Sequence, residues 1–194
     1  MSHVRPLAAL ALAAAAVLSA RTASAQAMTE TGFHAGQNAI EAEIGSGSSA
    51  LGLLHFMSPT GALAFRVGGH LDGLSVTVDN SNYVAEDEGT KYGGQLFVGL
   101  GLRHYRPIAH SVSVLHEFGV TANYSHLPRD DSRYYGGGIY GDLGGQYAFS
   151  SNLSVGVTTG IAATYLREKY SDIGHANYTA VGTDGTRATV SFYF

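Results

Sequence analysis

The chain has 194 residues, a formal net charge of −4, 26 glycines, 12 tyrosines and no cysteine. The acidic balance argues against nucleic acid as a partner, and the lack of cysteine excludes disulfides and a lipoprotein anchor. The length suits one domain, and the glycines and tyrosines follow no collagen-like or low-complexity period.

At the start, Arg5 gives a positive flank, residues 7–20 form an Ala- and Leu-rich run, and Ala23, Ser24 and Ala25 make a small-residue cleavage site. Such a run is too short to cross about 30 Å of hydrocarbon as a helix. Residues 1–25 are therefore expected to be a secretory signal peptide, with a second legal cut after Ala27. Cleavage after Ala25 leaves nine basic residues against 15 acidic ones. No later apolar stretch is long enough for a membrane helix, so a mature chain that spans a membrane must cross it with strands. Residues 26–36 have no period and are expected to be a periplasmic lead-in to a single domain over 37–194.

Eight alternating segments follow. Ile40, Ala42 and Ile44 alternate with Glu41 and Glu43 in the first, and 45–49 is a tight turn. The second, over 50–57, carries Leu51, Leu53, Leu54 and Phe56 and so is apolar on both faces. After the turn signal at 58–61, the third sets Leu63, Phe65, Val67, Gly69 and Leu71 against Ala64, Arg66, Gly68 and His70, and is expected to run to about Val78. An acidic connection spans 79–90. The fourth, over 91–106, opposes Leu96, Val98, Leu100 and Leu102 to Gln95, Phe97, Gly99, Gly101 and Arg103, and 107–111 is a turn.

In the fifth, Val112, Val114, Phe118, Val120, Ala122 and Tyr124 oppose Ser113, Glu117, Gly119, Thr121 and Asn123, with His116 the exception on the apolar side. A polar loop at 126–133 leads to the sixth, over 134–149, which points Tyr135, Ile139, Leu143, Tyr147 and Phe149 one way and Tyr140, Asp142 and Gln146 the other. A turn at 150–152 precedes the seventh, with Leu153, Val155, Val157, Ile161, Ala163 and Tyr165 on one face. Residues 169–184 are expected to be the last long loop.

The eighth segment alternates to the last residue. Ala188, Val190, Phe192 and Phe194 have one parity, and Arg187, Thr189, Ser191 and Tyr193 the other, so one face of a strand here is wholly apolar. This tail resembles the C-terminal signature of bacterial outer-membrane β-barrels. That resemblance implies that Val190, Phe192 and Phe194 are an assembly signal for the barrel-assembly machinery. The whole of 37–194 is similar to the small barrels of the OmpA-transmembrane-domain and OmpX class, without the peptidoglycan-binding domain that follows the barrel in the OmpA family. The expected fold is all-β, an eight-stranded antiparallel up-and-down transmembrane β-barrel.

Short turns at 58–61, 107–111 and 150–152 alternate with longer polar connections near 79, 126 and 169, the arrangement of periplasmic turns and extracellular loops. Both termini are then expected on the periplasmic side. Lipid demands closure, because an unpaired backbone group in hydrocarbon costs several kcal/mol. Closure of eight strands leaves an interior only wide enough for side chains. Glu41, Glu43, Arg66, Arg103, Glu117, Asp142 and Arg187 are expected to pair there as a lumen polar network, with Gly68, Gly99, Gly101, Gly119, Gly156 and Gly160 making room or bending strands. Tyr92, Tyr124, Tyr135 and Tyr165 are placed as one aromatic girdle, and Phe56, Phe65, Phe149, Phe192 and Phe194 as the other. A soluble lipocalin-like barrel is the structural alternative, with the faces reversed.

For function, the composition favours a structural or surface-interaction barrel, adhesin-like, with Tyr83, Tyr134, Tyr135, Tyr170 and Tyr178 among the polar residues of its loops. A narrow small-solute channel is the alternative. A lipid A-modifying enzyme is a further one, with Ser125, His126 and Glu168 as the nearest candidates, although neighbours in a strand face opposite ways. The His-x-Ser-Asn pattern of the lipid A deacylase family is absent. Asp79, Glu86, Asp87 and Glu88 lack the spacing of a calcium loop, and the histidines show no paired metal spacing, so no catalytic, metal or cofactor site is expected. The expected surroundings are outer-membrane lipid and lipopolysaccharide, and the expected state is a monomer.

Overall fold

A computed structural model of the chain describes residues 33–45, 48–75, 90–127, 132–169 and 174–194, with the backbone alone at 71–75, 90–92 and 127. Expectations for the signal peptide, most of the lead-in, the acidic connection after residue 78, and Tyr83, Tyr92 and Tyr170 fall outside the residues or side chains described. The described residues form eight strands and no helix. They are β1 (Asn38–Gly45), β2 (Ser49–Ser58), β3 (Gly61–Ser75), β4 (Thr90–Ala109), β5 (Val112–Leu127), β6 (Ser132–Ala148), β7 (Leu153–Lys169) and β8 (His175–Tyr193).

Each strand pairs antiparallel with the next, and β1 pairs with β8, which closes the barrel. Up-and-down order follows from the alternation of turn signals and polar connections, and closure leaves no strand edge along the shared height of the wall. The short hairpins β2–β3, β4–β5 and β6–β7 define a turn end, and the opposite rim is the loop end. Phe194 and Asn38 meet at the turn end, where each backbone N–H donates to the other's carbonyl, at 2.9 and 3.1 Å.

The wall is uneven in height. β1 has 8 residues and β2 has 10, whereas β4 has 20 and β8 has 19. The β1–β2 hairpin closes early, with Gly45 N–H donating to Ser48 at 2.9 Å. Above it, residues 70–75 of β3 pair only with β4, and residues 175–186 of β8 carry no pairing to β1.

Three expected boundaries change. Residues 175–184, expected as loop, belong to β8 and pair with β7 from Lys169↔His175 onward. Their polar composition carries no one-sided signal because both faces are largely exposed. A bulge sets Asp184 and Gly185 against Gly160, and Gly185 supplies the positive φ of 77° there. The 126–133 loop shrinks to 128–131, because Leu127 already pairs with Ser132. β4 continues through Pro107, where the register shifts, and turns at His110 and Ser111.

Parity decides the two faces. Leu51, Leu100, Phe118, Ile139, Val157 and Val190 are exposed on the outside, and every strand contributes such residues. An apolar belt round the entire circumference far exceeds the patches that soluble monomers leave in water. Glu41, Glu43, Arg66, Arg103, Glu117 and Asp142 are buried inside. The lipocalin-like alternative requires the reverse, so the structure excludes it. β2 is apolar on both faces for a physical reason: Leu51 and Leu53 face out, while Leu54 and Phe56 are fully buried within the barrel.

Candidate functional site

The lumen holds all seven charged residues expected there, joined in one network. Arg103 on β4 is its centre. Its guanidinium grips Glu41 of β1 with both Nη atoms, at 2.7 and 2.8 Å, and donates through Nε to Glu117 of β5 at 2.6 Å. The planar fork of arginine suits this two-sided role. Arg66 on β3 reaches the other Glu117 oxygen, lies 3.4 Å from Glu43 and 3.5 Å from Asp142, and stacks 4.8 Å over the Tyr140 ring. Arg187 on β8 bonds Asp142 and, at 2.6 Å, Asp184. Tyr140 donates to Glu117 at 2.6 Å and Ser191 to Glu41 at 2.8 Å. These contacts tie six of the eight strands together across the barrel.

Glycines admit this network where the strands run closest. A Cβ on Gly119 or Gly101 would overlap the Tyr140 hydroxyl, and one on Gly160 would overlap Asp142 Oδ1. Gly68 gives way to Phe97 and Gly156 to Thr189 in the same manner, whereas Gly99 has no neighbour closer than 3.7 Å and lines open space. Room-making therefore holds for five of the six lumen glycines named from the sequence.

Toward the turn end the lumen is plugged by aromatic rings. Phe33 stacks on Phe56 with centroids 4.5 Å apart, and lies 4.8 Å from Tyr105 and 5.1 Å from Tyr193. Leu54, Leu115, Ala39, Ala62 and Ala64 pack around them. The plug keeps polar contact with its surroundings: Arg103 donates to the Tyr105 hydroxyl at 3.2 Å, and Gln146 to the Tyr193 hydroxyl at 2.7 Å. Phe56, expected in the outer girdle, is thus a plug residue, because its parity in β2 is that of Leu54. Phe33 comes from the lead-in and has no periodic partner in the sequence to announce it.

Toward the loop end the lumen is hollow. A cavity of about 450 Å³ has Arg66, Arg187 and Tyr140 at its floor and Gln95, Thr121, Asn123 and Thr164 on its walls. Nearer the rim, Glu168 accepts hydrogen bonds from Tyr134 at 2.6 Å and Tyr178 at 2.5 Å. Glu168 and Ser125 share the face of Tyr134, whereas His126 shares the face of Arg133, so the wall separates His126 from the other two. The three candidates for a catalytic group are not brought together.

Comparison with solved structures places this architecture. The N-terminal β-barrel domain of Pseudomonas aeruginosa OprF superposes with a TM-score of 0.51 at 14% sequence identity, covering 84% of this chain and 100% of that one. The fold is that of a small outer-membrane β-barrel. A major outer membrane protein from Thermus thermophilus is also similar, with a TM-score of 0.47 at 16% identity over 83% of this chain and 100% of that one. No protein-family model and no curated protein sequence matches the chain.

On the outside of the outer-membrane-barrel fold, the expected girdles are largely in place. Tyr124, Tyr135 and Tyr165 are exposed toward the loop end, and Phe65, Phe149 and Phe194 toward the turn end. Val190 and Phe194 are exposed on the outer wall and Phe192 is half-buried there, so the tail residues share one outward stripe. His104 and His116 are register partners on this face, with rings 5.1 Å apart. Their separation in sequence hides a pairing that only the hairpin register reveals.

Proposed function

We propose that the chain is an outer-membrane barrel with a structural or surface-interaction role, adhesin-like, and neither a channel nor an enzyme. The barrel stands as a monomer with both termini periplasmic, in contact with outer-membrane lipid and lipopolysaccharide. Val190, Phe192 and Phe194 present the outward stripe to the assembly machinery. One observation carries this reading: the lumen is filled at two successive levels, by the ion network and by the Phe33, Phe56, Tyr105 and Tyr193 plug. A solute would have to separate buried ion pairs and then displace packed rings, and each step is costly in a low-dielectric interior.

What remains for function is the surface at the loop end. The full-length protein in planar bilayers is expected to give no discrete open steps, and stable unitary conductance would replace this reading with the channel. Cells displaying the protein are expected to lose adhesion to matrix ligands when residues 79–90 are exchanged for a short Gly-Ser linker. Unchanged adhesion would remove that connection from the binding surface.

A further inference from the structure

Four basic side chains fall into a single row across four strands at the loop end. His126 of β5 is opposite Arg133 of β6, Arg133 is opposite Lys169 of β7, and Lys169 is opposite His175 of β8. Ladder partners share a face, and Tyr135 and Tyr165, of the same parity as Arg133 and Lys169, are exposed on the outer wall. The next row toward the apolar belt is Tyr124, Tyr135, Arg167 and Asn177. Neither row contains a carboxylate, and Glu168 faces the lumen with Tyr134 and Tyr178 on its oxygens. Asp130 and Asp131, on the connection from β5 to β6, lie outside the described residues.

Like charges directly opposite one another weaken a strand pair. Arg133 and Lys169 are such a pair, and both are exposed. Below them Arg167 carries a buried Nε without a hydrogen-bond partner among the described residues. An anion between the two cations would turn the repulsion into charge-assisted hydrogen bonds. Directly beyond an aromatic girdle, the anions a bilayer offers are headgroup phosphates. The row is also wide: four strands about 4.8 Å apart extend over roughly 14 Å, which suits two phosphates better than one.

We propose that this row binds the phosphates of a bisphosphorylated glycolipid headgroup in the leaflet at the loop end, with Arg133 and Lys169 as the principal cations and Arg167 and His175 beside them. The proposal rests on the outer-membrane reading and names the lipid contact that reading leaves general.

The test uses the full-length protein purified in detergent, with bound lipid followed by native mass spectrometry. The probes are bisphosphorylated lipid A, monophosphorylated lipid A and phosphatidylcholine. The expected order of retention is that order. R133Q/K169Q is expected to bind the bisphosphorylated probe about tenfold more weakly or worse, with strand content unchanged by circular dichroism. R106Q, on the outer wall at the turn end, is expected to bind as the native protein does. D130N/D131N is expected to bind at least as tightly, and a loss there would overturn the basic row as the binding element. Equal retention of bisphosphorylated lipid A and phosphatidylcholine, or native binding by R133Q/K169Q, would also overturn the proposal. Insertion into phosphatidylcholine vesicles separates the two readings. A barrel that inserts but ignores phosphate number refutes this inference alone, and one that fails to insert refutes the membrane reading with it.

Discussion

The two halves of the lumen share the ladders from β3 to β8 yet hold opposite contents. In the half toward the turn end, Arg103, Glu41 and the four-ring plug pack as buried side chains, whereas the half toward the loop end holds a cavity of about 450 Å³ walled by Thr, Asn and Gln side chains. Pairing between β5 and β6 does not cause the difference, since their antiparallel register runs unbroken through both halves. Side-chain volume at inward positions causes it: Leu54, Phe56, Tyr105 and Leu115 below, and Gly99, Thr121, Asn123 and Ala162 above. Closure of a barrel and filling of its interior are thus separate properties, set by different residues along the same strands.

Substitutions in the two halves should differ sharply in cost. The largest effect is expected for Arg103→Ala, which leaves Glu41 buried without its bidentate partner and removes one of the two arginines on Glu117. Breaking a buried ion pair by deleting one member costs about 3–5 kcal/mol, measurable as a lowered midpoint of urea unfolding for the barrel folded in lipid vesicles. Phe33→Ala comes next, at about 3 kcal/mol, the lower end for truncation of a buried Phe because this residue enters the plug from outside the strand ladders. The same unfolding measurement checks it, and a change below about 1 kcal/mol would mean that Phe33 is an ornament of the plug and not part of its packing. Asn123→Ala, on the cavity wall, loses only a 3.2 Å bond to Thr121. It should stay within about 0.5 kcal/mol of the native protein. If Asn123→Ala approached Arg103→Ala in cost, the two halves would share one packed core after all.

The same contrast explains what could be read from the sequence. Eight strands, their faces and the seven lumen charges were legible because an apolar outer wall around a polar lumen forces strict alternation, and a charge breaks that pattern visibly at Arg66 or Glu117. The plug was not legible, since Leu54 and Phe56 face inward yet are as apolar as Leu51 and Leu53 facing out, so alternation vanishes from β2. Phe33 lies outside any periodic stretch. The upper part of β8 escaped for the opposite reason: residues 175–184 are exposed on both faces and no burial constrains their types. The basic row at the loop end is invisible in one dimension, because His126, Arg133, Lys169 and His175 become neighbours only through the registers of three successive hairpins.

The low side of the wall bears on how the ring holds together. The joint between the first and last strands runs only from Ala39↔Tyr193 to Gly45↔Arg187, whereas β5 and β6 stay joined from Val112↔Tyr147 to Leu127↔Ser132. A hoop under load parts at a short weld, and this one, no longer than the β1–β2 joint, lies between the two strands that translation makes farthest apart. Glu41 and Glu43 on one lip and Arg187 and Ser191 on the other meet the same central arginines, directly or through shared carboxylates, so the charged interior acts as a clasp behind the seam. Completion of the ring and burial of those charges therefore belong to one event: the last strand cannot dock without fastening the clasp.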